Sequence, residues 1–168
     1  MVTINESDMT FGPYGENDFF HIEQSQLRKN LEAVKSVEFI LLQKVKTKDK
    51  ILFVEAKQSS PHPENEGDWN TYIKGIQQKF ENSLLLWIAL NTGRHIEESC
   101  PDMHLSLKLN ELLIQFVLVV KGHPPEWLDP LKNMLEKVLK PTAVSFNMGA
   151  APILVINDTI AKNKKLIL

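Results

Sequence analysis

Up to Asp18 the chain shows no sustained hydrophobic period, and its Gly, Pro, Asn and Asp content predicts an irregular opening segment. Apolar positions then fall into two rhythms. Residues 19–23 form a short run suited to a strand. Ser25 stands ahead of Leu27 and Leu31, four apart on one helical face, so residues 25–33 read as a short helix capped by the Ser25 hydroxyl. From 36 to 57 the period becomes two. Val37, Phe39 and Leu41 alternate with Glu38, Ile40 and Leu42, the polar Thr47-Lys48-Asp49-Lys50 interrupts, and ILFVEA at 51–56 resumes the run. Two strands joined by a tight turn about Lys48-Asp49 are expected.

Residues 58–67 carry two prolines and a glycine and read as a loop. Asp68 then caps a long amphipathic helix whose apolar positions Trp69, Ile73, Ile76, Phe80, Leu84 and Trp87 recur every three or four residues. After a loop at 92–103, the nearly unbroken apolar run at 112–120 predicts a strand covered on both faces. Asp129-Pro130 supplies an N-cap and first-turn proline for a helix closing before Pro141. A buried strand at 152–156 and a terminal helix from Thr159, capped by Asp158, complete the chain. The order helix, antiparallel hairpin, long helix, strand, helix, strand implies an α/β fold: a mixed β-sheet flanked by helices, in one domain over residues 1–168.

Composition narrows the function classes. With 168 residues, 43% hydrophobic and 24% charged, the chain can bury a core and is not disordered. A single cysteine, Cys100, excludes a disulfide framework and a cysteine-based zinc site, and the five histidines show no paired ligand spacing. No signal peptide is read at the start, and the apolar runs are too short to span a bilayer, so a cytoplasmic protein without membrane contact is expected. The net charge of −2 argues against a coat protein that binds nucleic acid everywhere along its surface. An enzyme that holds nucleic acid at one metal site remains compatible with it.

Chemistry concentrates on the hairpin. A turn about Lys48-Asp49 sets Leu42 opposite Glu55, Ile40 opposite Lys57 and Glu38 opposite Ser59. Period two then puts Glu38, Glu55 and Lys57 on one face, with Glu38 diagonal to Lys57. Two carboxylates suit a hard divalent cation such as Mg²⁺, and a nearby lysine can orient or deprotonate a water or stabilise a crowded anion. The plain alternative is a solvated pair on neighbouring strands, worth about 0.2–1 kcal/mol. Lys44 and Lys46 share the Glu38 face in this register and are candidates for tracking a phosphate backbone, against the commoner solvated edge. Lys74 reads as solvated.

Phe53-Val54-Glu55-Ala56-Lys57, preceded by Glu38 on the neighbouring strand, resembles the second half of the PD-(D/E)xK nuclease signature. The resemblance spans roughly residues 23–120 at the level of pattern. Glu38 departs from the family's first aspartate, and Val37 stands where the family has proline. What the resemblance implies is a restriction-endonuclease-like core and a Mg²⁺- or Mn²⁺-dependent hydrolase of phosphodiester bonds, with DNA expected ahead of RNA. Glu38, Glu55 and the Ala56 carbonyl would be metal ligands, Lys57 the catalytic lysine, and Glu23 a further acid aiding the metal. Gln77, on the long helix, would approach a substrate phosphate. A homo-oligomer or a partner protein is expected to complete target recognition. The rival is an inactive nuclease-fold module that binds protein or nucleic acid.

Overall fold

A computed structural model describes residues 1–46, 48–95 and 100–168 of the protein. Thr47 of the expected turn and the middle of the loop expected at 92–103 lie outside the described residues. The chain runs β1 (Val2–Glu6), β2 (Met9–Tyr14), β3 (Phe19–Phe20), α1 (Gln26–Asn30), β4 (Phe39–Gln43), β5 (Lys50–Lys57), α2 (Glu66–Asn91), α3 (Asp102–Leu105), β6 (Leu113–Val120), α4 (Pro125–Ser145), β7 (Ile153–Asn157) and α5 (Asp158–Asn163). Strands β3 to β7 form one sheet in sequence order. Within it β4 runs antiparallel to both β3 and β5, while β5, β6 and β7 are parallel. Strand β5 is the pivot between the two senses. The expected mixed α/β architecture is what the chain adopts.

Burial on both faces accounts for the apolar character of β4, β5 and β6. One face sends Ile40, Leu42, Ile51, Phe53, Phe116 and Leu118 into a core with Ile73, Phe80 and Trp87 of α2 and Leu131, Leu135 and Leu139 of α4. Phe80 stacks on Phe116 at 4.7 Å between centroids, and Trp87 meets Phe53 edge-on at 6.0 Å. The other face packs Phe39, Leu41, Leu52, Val54, Val117 and Val119 against Met9, Phe11 and Tyr14, with Ala161, Leu166 and Ile167 closing the layer. Among the described residues no helix is long and apolar enough to cross a membrane.

Three expectations change. The opening segment is not irregular: β1 and β2 pair as a hairpin across Ser7 and Asp8, both at positive φ (50° and 56°). Neither residue is the Asn or Gly that marks such a turn in sequence. The helix expected from Asp129 to before Pro141 starts at Pro125 and runs to Ser145, with Pro130 and Pro141 inside it. Each proline removes one helical N–H donor. The buried stripe of Leu128, Leu131, Leu135 and Leu139 nevertheless holds one continuous helix. Beyond Pro141 the last turn is tied to α2 by the Thr142 hydroxyl, which donates to Glu81 Oε1 at 2.6 Å. Caps also move by a residue or more. Helix α2 begins at Glu66 rather than after Asp68, and Asn157, not Asp158, accepts the Ile160 N–H at 2.9 Å to cap α5. Ser25 caps α1 as expected, accepting from the Arg28 N–H.

The approach to β4 is pinned from above. The Val37 N–H donates to Ser83 Oγ of α2 at 2.8 Å, and both residues are fully buried. Without that acceptor a buried donor is orphaned at the residue next to Glu38. Ser83→Ala is therefore expected to destabilise the protein by about 1–3 kcal/mol in urea denaturation. A change below about 0.5 kcal/mol would show that Val37 finds another partner.

Candidate active site

The β4–β5 ladder pairs Phe39 with Val54, Ile40 with Phe53 and Leu42 with Ile51. That register is four residues from the expected one, in which Leu42 faced Glu55. An even shift leaves every side chain on its expected face. Glu38, Glu55 and Lys57 accordingly share the face beneath α2, but Glu38 lies beside Val54 and Glu55 rather than opposite Ser59. The Glu38 N–H donates to the Val54 carbonyl at 3.1 Å, while Phe39 pairs with the same residue. Two residues against one is the count of a β-bulge, a device that re-aims a side chain at a strand end.

Glu55 is the centre of the cluster. Its side chain is 0% exposed. Oε1 receives the Lys57 ammonium at 2.7 Å and the Lys79 ammonium at 2.8 Å. Oε2 has no hydrogen-bond partner among the described residues. Lys79 Nζ also lies 3.7 Å from Glu38 Oε1, so it sits between the two carboxyl groups. The hydroxyl of Tyr72, two helical turns before Lys79 on α2, is likewise buried without a partner. Burial holds that phenol above its ordinary range, and the Glu55 charge adds to the effect.

Electrostatics distinguishes the two glutamates. Burial pushes the Glu38 carboxyl up to about 9, reinforced by a hydrogen bond shared with the Glu23 side chain and by the Glu55 charge; Lys79 opposes only in part. Burial and the neighbouring acids thus favour the protonated form of Glu38. Burial acts to lower the Lys79 ammonium, but Glu55 more than offsets it, with Glu38 and Glu23 contributing, and holds Lys79 above the ordinary lysine value.

Glu23 sits in a 3₁₀ turn (Ile22–Gln24) whose backbone meets β4: its N–H donates to the Glu38 carbonyl at 3.4 Å. The structure therefore joins Glu23 to the cluster. Two residues that the sequence pattern did not single out extend it. One ligating atom from each of Glu6, His21 and Glu23 lies within 4.8 Å of the others. Burial, then Glu23 and Glu55, raise the Glu6 carboxyl, and burial lowers the His21 imidazole. No sequence spacing signals this grouping, because Glu6 ends β1 and the others follow β3.

Ala56 places its methyl in the core on the far side of the sheet. The Lys57 carbonyl accepts from Lys121 beyond β6, and the Val54 carbonyl accepts from Glu38 on the β4 side. Alternation along the strand puts the Ala56 carbonyl on the β4 side of β5. Glu55 Oε2, buried and without a hydrogen-bond partner among the described residues, is a hard acceptor of the kind a divalent cation takes, although the three-ligand grouping with atoms close enough to share one ion among the described residues is Glu6, His21 and Glu23.

Three expected substrate contacts lie elsewhere. Gln77 points into the α2–α4 seam, where its amide donates to the Val138 carbonyl at 3.4 Å and lies 3.4 Å from Glu81. It does not reach the cluster, because the α2 stripe that faces the sheet runs through Ile73, Ile76 and Phe80. Lys44 and Lys46 follow the end of β4 and line a hollow with Lys48, Leu107 and Lys108. Six residues of extended chain put Lys44 roughly 20 Å from Glu38, at the opposite end of the hairpin. The lysine that joins Lys57 at the site, Lys79, carries no motif. It lies seven residues after Tyr72, on one side of α2 next to the buried Ile76 and Phe80.

No protein-family model, curated protein or solved structure matches the chain.

Glu38 binds a proton in the folded chain that an unfolded chain releases near 4.5. Between that value and about 9 the folded state holds more protons, so the Glu38 contribution to stability falls as pH rises, by at most about 1.4 kcal/mol per pH unit. Glu38→Gln keeps the shape and an N–H donor toward Glu23. It is expected to flatten the loss of denaturation free energy through this window. Parallel pH profiles for parent and variant would contradict a protonated Glu38.

Proposed function

We propose that the cluster is a divalent-cation site for phosphodiester hydrolysis, making the protein a metal-dependent nuclease acting on DNA, with RNA as the second candidate. The observation that carries this reading is Glu55: a fully buried carboxylate with two ammoniums on one oxygen and none on the other. A purely structural ion pair that deep is expected to satisfy both oxygens, since an unpaired buried acceptor costs about 1–3 kcal/mol. The order helix, antiparallel strands, long helix and parallel strand around Glu38, Glu55 and Lys57 supports the same reading through its resemblance to PD-(D/E)xK nucleases.

Glu55, Glu38, the Ala56 carbonyl and Glu23 are the groups that would hold Mg²⁺ or Mn²⁺. The ion would supply charge neutralisation at the phosphoryl group and acidify water. The remaining chemistry belongs to side chains of this chain. Lys57 ends β5 with its side chain 31% exposed, so its ammonium can meet both Glu55 and an incoming phosphate. From there it can orient the attacking water, take part in its deprotonation, or stabilise the anionic transition state. Substrate would approach over the ends of β5 and β6. There Trp127, 42% exposed, meets the rings of His62 and His123 in edge-to-face pairs at 5.2 and 5.6 Å and offers a stacking surface for a base. Ser60, three residues beyond Lys57, touches His123 at 3.3 Å, which ties this surface to the strand end.

One observation favours the second reading, an inactive nuclease-fold interaction module. Lys79 already places a positive charge between Glu38 and Glu55.

The test is cleavage of single- and double-stranded DNA and RNA with Mg²⁺ or Mn²⁺. Lys57→Ala and Glu55→Gln are each expected to reduce the rate by about 10²-fold or more. A parent protein that cleaves none of these substrates supports the module, and activity surviving both substitutions removes the site from the chemistry.

A further inference from the structure

Lys79 is a positively charged member of the cluster that neither the signature nor the metal site calls for. Its ammonium lies 2.8 Å from Glu55 Oε1 and 3.7 Å from Glu38 Oε1. Glu55 already has a partner in Lys57 at 2.7 Å, on the same oxygen. Pairing of the buried charge therefore does not by itself require a second lysine. The two lysines differ in place. Lys57 reaches Glu55 from the end of the strand, whereas Lys79 descends from the middle of α2 into the gap between the carboxyl groups, with 17% of its side chain exposed. A divalent ion shared by the two glutamates has its oxygens at about 2.0–2.6 Å and would need that same gap. An ammonium and a divalent cation cannot occupy it together.

We propose that Lys79 is a built-in counter-cation that fills the divalent-ion position between Glu38 and Glu55 and sets the site's affinity for metal, so that an ion binds only as Lys79 swings out. This rests on the metal-site reading above and adds the residue that governs it. The flexible four-carbon stem and partial exposure of Lys79 give the ammonium a route to solvent. Glu55 keeps Lys57 when Lys79 leaves, so its buried charge is not stranded. Lys57 also provides an internal control. Loss of either lysine removes one positive charge beside Glu55, but only loss of Lys79 opens the gap to Glu38.

The experiment is calorimetric titration of Mn²⁺ into the full chain and into Lys79→Met, Lys79→Gln and Lys57→Met, with folding checked by circular dichroism. Lys79→Gln keeps an uncharged polar side chain at that position and serves if the methionine variant does not fold. The expected result is that both Lys79 variants bind Mn²⁺ about tenfold more tightly than the parent, and Lys57→Met changes affinity by less than about threefold. Binding by the Lys79 variants alone, with a silent parent, supports the proposal most directly. If the parent binds Mn²⁺ and the Lys79 variants bind equally or more weakly, the counter-cation role is wrong and the metal site stands. Equal tightening in the Lys57 and Lys79 variants reduces the effect to general charge relief and also overturns it. Absence of binding in every protein overturns the metal site and this proposal together.

Discussion

A carboxylate without access to water, in the pivot strand of the sheet, is the constraint around which the structure is arranged. Glu55 lies between β4 and β6, and its side chain points under α2. A charge there is tolerable only with partners at hydrogen-bond distance. Lys57 supplies one from the same strand, two residues on and therefore on the same face. Lys79 supplies the other from the helix above. The pairing ties the position of α2 over β5 to the chemistry of the sheet, in addition to the aromatic contacts that pack the two together.

The neighbouring groups follow from the same constraint. A second full negative charge beside Glu55 would add a further burial penalty, and burial with the Glu23 and Glu55 carboxyl groups pushes Glu38 toward its protonated form. Glu23 reaches Glu38 because a 3₁₀ turn docks on the start of β4, and Glu38 is aimed inward by a two-against-one irregularity just before the regular ladder. The Ser83 hydroxyl of α2 holds the preceding residue. Local geometry of the backbone and a long-range helix contact thus cooperate to gather acids where the sheet's parallel strands end. Open α/β sheets place their sites at that end, since the connecting loops part there.

Fold and site were legible to different degrees. Helix α1 with its serine cap, the β4–β5 hairpin, the long α2 and the doubly buried β6 all follow from periodicity and burial pattern, which act over a few residues. The β1–β2 hairpin did not. Its turn uses Ser7 and Asp8 rather than glycine or asparagine, and its strands contain a glycine and a proline; packing on the sheet, through Phe11 and Tyr14, stabilises what local preference does not. Helix α4 passes through two prolines for a related reason, because a buried leucine stripe outweighs two missing donors.

For the site, sequence alone determined that Glu38, Glu55 and Lys57 share one face, since alternation along a strand survives any even error in register. Which of them touch was left to the tertiary structure. The four-residue shift in pairing, the bulge at Glu38 and the docking of the N-terminal elements decided that. Lys79, Glu6 and His21 entered the cluster only on folding. They come from three separate segments with no common spacing, and the force that assembles them, the need to compensate buried charge, has no period along a chain.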